Sequence, residues 1–411
     1  MPADRLAQIP PYLFAGINRL KAEMLAQGID VIDLGAGAPD RPAPEHVVEA
    51  LKASGADPAS HRYPPYDGTP SFKRAVSRWY DSRFGVSLDP DSEVIALTGS
   101  KEGLVHLVWA MAGPGDVVLV PDPGYPAYRT AALLAGAEPI AVPLLAEHGD
   151  FPDLDAVDAG VLARAKLLFL SYPNNPTGAV ATLERFAGVI AWARRHGILV
   201  VHDAAYAELG FDGHVAPSIL QVSGAREHAV EFNSLSKSHG MAGFRLGMAV
   251  GNAEAIGALA LLKSNVDTGV FQAVQDAGVA ALDGPQDHLP VWRALYQERR
   301  DAARAGFARL GWPEVPCGGG FFLWLPTPGG MSSADFARTV LERCFVIVAP
   351  GAAYGDAGEG YFRVALVSEA GRILEAIARL ETAGIRFSAR SFHGARSFHG
   401  ARSFHEEGPC S

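Results

Sequence analysis

The chain has 411 residues, of which 48% are hydrophobic, and its formal net charge at pH 7 is −10. That length suits two domains rather than one core, and the hydrophobic fraction argues against disorder over the main body. An acidic chain without a basic stripe is not expected to bind nucleic acid or anionic membranes. No apolar run approaches the roughly 20 residues of a membrane span, and nothing marks the N-terminus for secretion, so we expect a cytoplasmic protein.

From about residue 43 to residue 282, amphipathic stretches alternate with short apolar runs. The helix-like stretches are Pro70–Phe84, Gly103–Met111, Tyr128–Leu134 and Leu183–His196. The runs typical of buried strands are Glu93–Leu97, Asp116–Val120, Leu167–Ser171, Ile198–His202 and Arg245–Val250. Because these runs are apolar on both faces, we expect helices to cover both sides of the sheet. The pattern predicts an α/β domain with a mostly parallel sheet and chemistry at the carboxyl ends of its strands.

The pattern changes after about Leu289. A charged segment with helical periodicity, Val291–Leu310, could connect the first domain to a second. The segments beyond it, which have an α+β pattern, are Phe321–Leu325, Ser333–Cys344, Phe345–Ala349, Tyr361–Ala365 and Glu369–Ala383. We therefore predict a large domain over residues 43–288 and a linking helix with a small domain over 289–387. The N-terminal segment 1–42 is expected to pack with the small domain.

The C-terminal segment 388–411 repeats one short sequence. ARSFHG begins at residues 389 and 395, and ARSFHE begins at residue 401. A period of six fits neither a helix nor a strand, so we predict a disordered or appended tail. The tail histidines lack a spacing typical of a metal site. The three cysteines are too far apart for a disulfide framework or a metal motif, and we predict no metal.

The strongest chemical motif is Ser234-Leu235-Ser236-Lys237, which Arg245 follows eight residues later. A lysine among small and hydroxyl residues, just before an apolar strand, is suited to burial. Burial lowers the pKa of an amine and makes it a nucleophile toward carbonyls. Hydroxyls and an arginine are what a phosphate monoester needs. Alone, the motif fits an ordinary surface turn equally well.

Two further motifs directly follow predicted strands. In the loop Tyr172–Gly178, whose sequence is YPNNPTG, prolines and a glycine fix two asparagine amides at the end of a strand. In the stretch from His202 to Tyr206, Asp203 ends a strand and could meet a ring nitrogen, with a tyrosine hydroxyl nearby. A lone aspartate at such a position is more often a helix cap.

In this order and at these separations, the motifs resemble the aspartate-aminotransferase superfamily of pyridoxal-phosphate enzymes, the fold type I class. The resemblance covers about Pro10 to Ala383. It implies a large domain with a mostly parallel, seven-stranded-type sheet between helices, plus a smaller discontinuous α+β domain. It also implies pyridoxal 5'-phosphate as cofactor, an amino acid and a 2-oxo acid as substrates, ping-pong kinetics, and a homodimer with shared active sites.

The resemblance implies a role for each matching residue. Lys237 matches the lysine that bonds to the cofactor and moves the proton, and Asp203 the carboxylate that keeps the ring nitrogen protonated. Tyr206 and Asn175 match the pair that binds the ring's 3-oxygen, and Tyr125 matches the aromatic residue stacked on the ring. The implied phosphate ligands are Ser100, Lys101, Ser234, Arg245 and, from the neighbouring subunit, Tyr63. The implied contacts to the substrate are Arg363, which grips the α-carboxylate, Gly37 and Asn175.

Several stretches look like the LL-diaminopimelate aminotransferase branch. They are Pro10–Phe14, Gly99–Gly103, Tyr172–Pro176 and Lys263–Asp267. The chain departs from that pattern just after the lysine, where His239 and Gly240 occupy positions that are commonly an aromatic residue and an asparagine. No arginine for a second substrate carboxylate can be assigned. Aspartate, glutamate, alanine and diaminopimelate therefore stay open as substrates, with glutamate and 2-oxoglutarate as the usual pair.

Other functions fit the motifs less well. The runner-up is a lyase that breaks C–S bonds of sulfur amino acids by β-elimination, because the same cofactor pocket serves both reactions. A pyridoxal-phosphate-binding transcription regulator would need a DNA-binding domain, for which there is no room before Tyr12. A dinucleotide site at Gly35-Ala36-Gly37 lacks the third glycine. The turn Cys317–Gly320 is predicted to position Phe321 rather than to hold a reactive thiol.

Overall fold

The computed structural model describes residues 3–9 and 13–388, so the repeated tail lies outside the described residues except for Ser388. The helices of that part are α1 (Leu13–Ala26), α2 (Glu45–Ala56), α3 (Pro70–Phe84), α4 (Ser100–Met111), α5 (Ala127–Ala135), α6 (Ala159–Leu162), α7 (Leu183–His196), α8 (Leu235–Ser238), α9 (Ala253–Val266), α10 (Gln272–Asp283), α11 (His288–Arg309), α12 (Ser333–Cys344) and α13 (Ala370–Thr382). The strands are β1 (Ile32–Asp33), β2 (Val94–Leu97), β3 (Val117–Asp122), β4 (Glu138–Leu145), β5 (Phe151–Pro152), β6 (Ala165–Ser171), β7 (Leu199–Asp203), β8 (Ala229–Ser234), β9 (Gly247–Gly251), β10 (Phe322–Pro326), β11 (Val346–Ile347), β12 (Ala349–Pro350) and β13 (Tyr361–Ala365).

Local sequence explains where helices begin and end. Helix α3 begins after Thr69, whose side chain accepts a hydrogen bond from the Phe72 amide, and Pro70 occupies its first position. It ends at Gly85, whose φ of 67° places it in the left-handed region. A hydroxyl cap, an N-terminal proline and a C-terminal glycine are typical helix boundaries.

The large sheet has the strand order β2-β9-β8-β7-β6-β3-β4-β5. Its centre, from β4 through β3, β6 and β7 to β8, is parallel. Strand β9 runs antiparallel to both β8 and β2, and β5 runs antiparallel to β4. The predicted α/β class with a mostly parallel sheet is confirmed. The chain passes from β3 to β4 on one side and returns to β6 on the other, which opens a crevice at the carboxyl ends of the strands.

Hydrophobic clusters cover both faces of this sheet, as the apolar strands predicted. One cluster includes Phe72, Tyr80 and Phe186 on one face, and another includes Leu104 and Tyr128 on the opposite face. Because helices shield both faces, the polar groups of the site can face solvent only at the ends of the strands.

A third cluster surrounds the small sheet β10-β13-β12 and includes Tyr296, Phe321 and Phe362. Strand β1 joins this cluster, because Ile32 is buried there and pairs in parallel with Val346 of β11. The predicted run over residues 345–349 is split into β11 and β12. A division into domains at residues 42, 288 and 387 requires separate hydrophobic clusters. The division at these residues stays a prediction.

Helix α11 begins three residues before the predicted segment and carries two buried arginines. Arg299 donates to both carboxylate oxygens of Asp40 over 3.0 and 2.8 Å, and Arg300 binds Asp212. Burial alone would raise the pKa of Asp40, but the bonds from Arg299 and Arg41 hold it at about 2. The helix is thus tied by ion pairs to the N-terminal segment and to the loop after β7. Among residues 3–9 and 13–388, no helix has both the length and the apolar character needed to cross a bilayer.

Candidate active site

Lys237 lies on the one-turn helix α8, directly after β8. The Ser234 hydroxyl caps this helix by accepting a hydrogen bond from the Ser236 amide over 3.2 Å. The lysine Nζ donates to the Gly37 carbonyl oxygen over 3.0 Å. Burial, reinforced by the positive charges of Arg363 and Arg245, lowers the pKa of Lys237 to about 8, although Asp203 opposes the shift. Near neutral pH, part of the lysine population is therefore the nucleophilic neutral amine.

A cationic cradle for an anion lies at the start of α4. Gly99 has a φ of +79°, and a Cβ there would lie 2.2 Å from Nη2 of Arg245. Only glycine therefore lets the guanidinium reach the first turn of the helix. Burial, followed by the positive charge of Arg245, lowers the pKa of Lys101. Backbone N–H groups at the helix start, including that of Ser100, add to the attraction for an anion.

Ser234 belongs to the same region through the sheet. It pairs with Gly247 on β9, where an added Cβ would lie 2.8 Å from the Ser100 backbone nitrogen. The structure thus brings Ser234, Ser100, Lys101 and Arg245 to one place.

Asp203 ends β7 and is 7% exposed. The Tyr128 hydroxyl donates to its Oδ2 over 2.8 Å, and the Ala205 amide donates to its Oδ1 over 3.3 Å. Burial raises the pKa of Asp203, and these two hydrogen bonds oppose the rise. Residues 205–208 form a turn, so Asp203 is not the cap of a helix. A buried carboxylate held in this way suits a cationic group facing it.

Tyr128 is a site residue that the sequence analysis missed. It lies on the first turn of α5, three positions after Tyr125, and the two rings meet edge to face with centroids 5.6 Å apart. Tyr125 and Tyr128 are three positions apart and follow the end of the parallel strand β3. This spacing is the signal from which the sequence could have predicted that Tyr128 lies in the site. Tyr125 also lies near the cationic cradle, because Lys101 Nζ is 5.8 Å from its ring centroid.

Arg363 is buried on β13 and joins the small sheet to the large one. Its Nη1 donates to Asn175 Oδ1 over 2.8 Å, and its Nη2 donates to the Gly35 carbonyl over 2.7 Å. Its guanidinium lies 4.0 Å from the ring centroid of Phe322. A Cβ at Gly37 would lie 2.9 Å from the Phe322 ring and 3.5 Å from Arg363 Nη2. Arg363, Asn175 and Gly37 therefore meet, as the resemblance implied.

Tyr206 lies between these groups. Its ring meets the rings of Phe321 and Phe322 edge to face. Burial raises the pKa of Tyr206 well above its usual range; the charge of Arg363 opposes this shift and that of Asp203 adds to it. The hydroxyl therefore stays protonated at physiological pH and can donate a hydrogen bond.

Tyr63 is the one named candidate that stands apart from this group within the described residues. Its side chain is 90% exposed, in the loop before α3, and Tyr66 beside it is 53% exposed. No contact among residues 3–9 and 13–388 explains so exposed a pair of aromatic rings.

Two other candidate sites have structural explanations. The Cys317 thiol is buried, which raises its pKa to about 12, and its Sγ donates to the Phe322 carbonyl over 3.1 Å, so it is not a reactive thiolate. Glu102, His106 and Asp267 are close enough to hold a metal ion. Lys263, however, is buried among them, with Nζ 3.1 Å from Glu102 Oε1 and 2.9 Å from Asp267 Oδ2.

Known proteins resemble this chain in both sequence and fold. Residues 29–380 match the family model described as aminotransferase class I and II. The LL-diaminopimelate aminotransferase of Desulforudis audaxviator is 52% identical over 378 residues, covering 92% of this chain and 96% of that protein. The protein of the same name from Moorella thermoacetica is 51% identical, covering 92% of this chain and 97% of that protein.

Comparison with solved structures agrees with the sequence comparisons. The substrate-bound structure of BacF from Bacillus subtilis superposes with a TM-score of 0.92 at 35% identity, covering 95% of this chain and 99% of that one. These findings confirm the resemblance to fold type I aminotransferases and lend no support to the C–S lyase alternative. The chain therefore belongs to the class I and II aminotransferases, and it is a pyridoxal-phosphate enzyme that transfers amino groups between amino acids and 2-oxo acids.

Proposed function

We propose that this aminotransferase acts on LL-diaminopimelate, with 2-oxoglutarate and glutamate as the second substrate pair. The observation that carries the proposal is the identity of 52% over 378 residues with a protein named for that substrate. The pocket supports the transfer of amino groups in general, because it holds an amine, an arginine and a buried carboxylate that an amino acid and the cofactor require.

The residues present fit pyridoxal phosphate. When bound, this cofactor acts as an electron sink that makes the Cα–H bond of an attached amino acid acidic. Asp203 would hold the ring nitrogen protonated, because a buried carboxylate favours a cation beside it. The cationic cradle of Ser100, Lys101, Ser234 and Arg245 would hold the phosphate. Lys237 would bond to the cofactor aldehyde, since its pKa of about 8 leaves neutral amine available.

The remaining residues would bind and orient the reactants. Arg363 would grip the substrate α-carboxylate through its planar fork, which the bonds to Asn175 and Gly35 already orient. Tyr206 and Asn175 would donate hydrogen bonds to the ring oxygen, with Tyr125 stacked on the ring. The amine of Lys237, when free, would act as the general base and acid that moves the proton at the substrate α-carbon.

We also propose a cytoplasmic homodimer in which Tyr63 reaches the phosphate site of the partner. The loop that holds Tyr63 and Tyr66 packs tightly on the loop before α10, since a Cβ at Gly269 would lie 2.1 Å from the Pro65 carbonyl oxygen. Phe271, at the end of that second loop, is 47% exposed. Exposed aromatic side chains from two rigidly packed loops are typical of an interface that another subunit covers.

The substrate proposal is tested by the visible spectrum of the pyridoxal-phosphate-loaded enzyme during titration with single amino acids. The panel is LL-diaminopimelate, aspartate, glutamate, alanine and a sulfur amino acid. We expect LL-diaminopimelate to bleach the yellow band at the lowest concentration, and 2-oxoglutarate to restore it. Bleaching by aspartate or alanine at a lower concentration than LL-diaminopimelate would contradict the proposed substrate but not the enzyme class. Pyruvate and ammonia from the sulfur amino acid would favour the lyase.

A further inference from the structure

The position of Lys237 depends on what holds the end of its helix. Helix α8 spans only four residues, Leu235–Ser238, and a helix of one turn is not stable by itself in water. The last carbonyls of any helix also lack partners within it. Residues outside α8 must therefore fix the turn that presents the lysine.

Two histidines hold this end of α8. Nε2 of His239 lies 3.0 Å from Gln286 Oε1, and its Nδ1 lies 2.8 Å from Ser238 Oγ. Nε2 of His288 lies 3.0 Å from the Ser238 carbonyl oxygen, which is one of the carbonyls that the helix leaves without a partner. The two imidazole rings are 4.9 Å apart.

The protonation of His239 follows from the orientation of Gln286. Nε2 of Gln286 donates to the carbonyls of Ala281 and Gly284 over 2.7 and 2.9 Å, so its Oε1 faces His239 as an acceptor. His239 must then carry its proton on Nε2 and accept the Ser238 hydroxyl proton at Nδ1. Neutral imidazole satisfies both bonds, and the ring is fully buried.

A charged His239 would be poorly accommodated. Burial, followed by the nearby charge of His288, lowers the pKa of His239 to about 4. His46 on α2 also faces this ring, and Asp287 and Glu208 face His288. A second ring proton would reverse the bond with Ser238, so that Nδ1 donates to Oγ and the hydroxyl proton is left with the Ser234 carbonyl, 3.4 Å away. The neutral bonding pattern is therefore the one that persists at physiological pH.

Helix α11 connects the turn of Lys237 to the strand that holds Arg363. It begins at His288, and further along it Nη1 of Arg299 donates to the Leu366 carbonyl over 3.2 Å. Leu366 directly follows β13, the strand of Arg363. One helix thus contacts both the turn of Lys237 and the strand of Arg363.

Gly240 fits the same arrangement on the other side of the turn. Its φ is +64°, and a Cβ there would lie 2.6 Å from the Arg41 carbonyl oxygen. The segment beside Asp40 therefore packs directly on the turn, and Asp40 is the residue that binds Arg299. The two departures from the family pattern, His239 and Gly240, both serve contacts between α8 and neighbouring segments.

We propose that His239, through Gln286 and together with His288, is a positioning residue that fixes Lys237 relative to Arg363 by anchoring α8 to the start of α11. The proposal rests on the proposed role of Lys237 as the cofactor lysine. It assigns His239 no contact with substrate or cofactor.

The test compares variants of the pyridoxal-phosphate-loaded enzyme. His239→Phe keeps an aromatic ring and removes both hydrogen bonds, whereas His239→Gln keeps an N–H that can reach Gln286. The matched control is His214→Phe, because Nε2 of His214 has no hydrogen-bond partner among the described residues. For each variant, kcat, KM for the amino donor, the pH titration of the cofactor absorbance and Tm are measured.

We expect His239→Phe to lower kcat by about 10- to 100-fold, because a small displacement of a catalytic group has effects of that order. KM should change less than about twofold, and the midpoint of the absorbance titration should move by about half a pH unit or more. His239→Gln should recover most of kcat, and His214→Phe should match the wild type.

Wild-type kcat and titration midpoint in His239→Phe would overturn the proposal. The proposal would also be overturned if both His239 variants lost kcat to the same extent and in proportion to their loss of Tm. Such losses would reflect packing alone. If His239→Phe does not fold, Gln286→Leu removes the same bond at a half-exposed position and carries the same expectations. A Lys237→Ala variant that kept the absorbance band would instead overturn the role of Lys237, and this inference with it.

Discussion

Nη1 of Arg363 donates a 2.8 Å hydrogen bond to Oδ1 of Asn175, although the two residues are 188 positions apart in the chain. Asn175 follows β6 of the large sheet, and Arg363 lies on β13 of the small sheet. Because Oδ1 accepts from the arginine, the Nδ2 group of Asn175 is turned away from the guanidinium. The bond therefore orients both the proposed carboxylate clamp and a proposed ring contact.

Replacing Arg363 with lysine should weaken the binding of every amino acid substrate alike. Lysine keeps the charge but loses the planar fork that pairs with a carboxylate. A lost charge-assisted hydrogen bond corresponds to a rise in KM of about 10- to 100-fold. Steady-state kinetics with several donors measure the change, with exposed Arg338→Lys on α12 as control. A rise that depends on the donor's side chain would place Arg363 elsewhere in the substrate site.

Replacing Tyr128 with phenylalanine should move the acid limb of the pH–rate profile to higher pH. The Tyr128 hydroxyl stabilises the Asp203 carboxylate against the effect of burial, so its removal raises the pKa of Asp203 further. A carboxyl group with a higher pKa is already protonated at higher pH, and activity should be lost there. The expected movement is about one to two pH units.

The control for this change is Tyr172→Phe. The Tyr172 hydroxyl is also buried, but it donates to the Asp150 carbonyl rather than to a carboxylate. If both variants had the same profile as the wild type, Tyr128 would have no part in the ionisation of Asp203.

Capture of pyridoxal phosphate by the apoenzyme should depend on the ionisation of Lys237. Since burial lowers the pKa of this amine to about 8, the neutral form is lost as the pH falls below that value. The capture rate should drop by about tenfold per pH unit below pH 8 and level off above it. Stopped-flow absorbance measures the rate, and Lys237→Ala should not react. A midpoint near the ordinary lysine value would show that the amine is not perturbed.

Mixing two inactive variants should restore activity if the active sites are shared. In a heterodimer of Tyr63→Ala and Lys237→Ala, one site would combine an intact lysine with an intact tyrosine, and the other would have neither. Random reassociation makes half of the dimers mixed, so activity should reach about a quarter of the wild-type value. Co-refolding followed by an activity assay measures it. Activity that stays at the average of the two parents would place Tyr63 outside the partner's site.

The sequence predicted the parts of the site that follow apolar strands, because such strands and their turn residues have local signatures. Asp203 and Asn175 lie at the carboxyl edge of the sheet, where the strand pattern placed them. Lys237 also lies at this edge, after β8, although the sequence predicted only the strand that comes after the lysine. Strand β8 was missed because it contains Glu231. That residue is fully buried and bonds to the Tyr80 hydroxyl and the His202 ring, which only the fold brings near it.

The contacts of Tyr128 and His239 were missed for the same physical reason. Tyr128 meets Asp203 across 75 positions of the chain, and His239 meets Gln286 across 47. Local spacing can indicate that Tyr128 lies near the site, but neither composition nor spacing indicates which distant residue Tyr128 or His239 contacts. Helix α4 also begins three residues before its predicted start, at Ser100, and it is this extra turn that forms the edge of the cationic cradle.

The two cysteines of the described chain lie in one hydrophobic cluster, but different segments cover them, which makes them natural probes of separate motions. Cys317 is covered by the loop of residues 172–178, because a Cβ at Gly178 would lie 3.0 Å from its Sγ. Cys344 is buried at the end of α12 within the cluster around the small sheet. Alkylation of Cys317 thus requires that loop to separate from β10, whereas alkylation of Cys344 requires α12 to leave its cluster. Mass spectrometry of pulse-labelled protein can therefore time the opening of the crevice separately from the unravelling of the unit that carries Arg363.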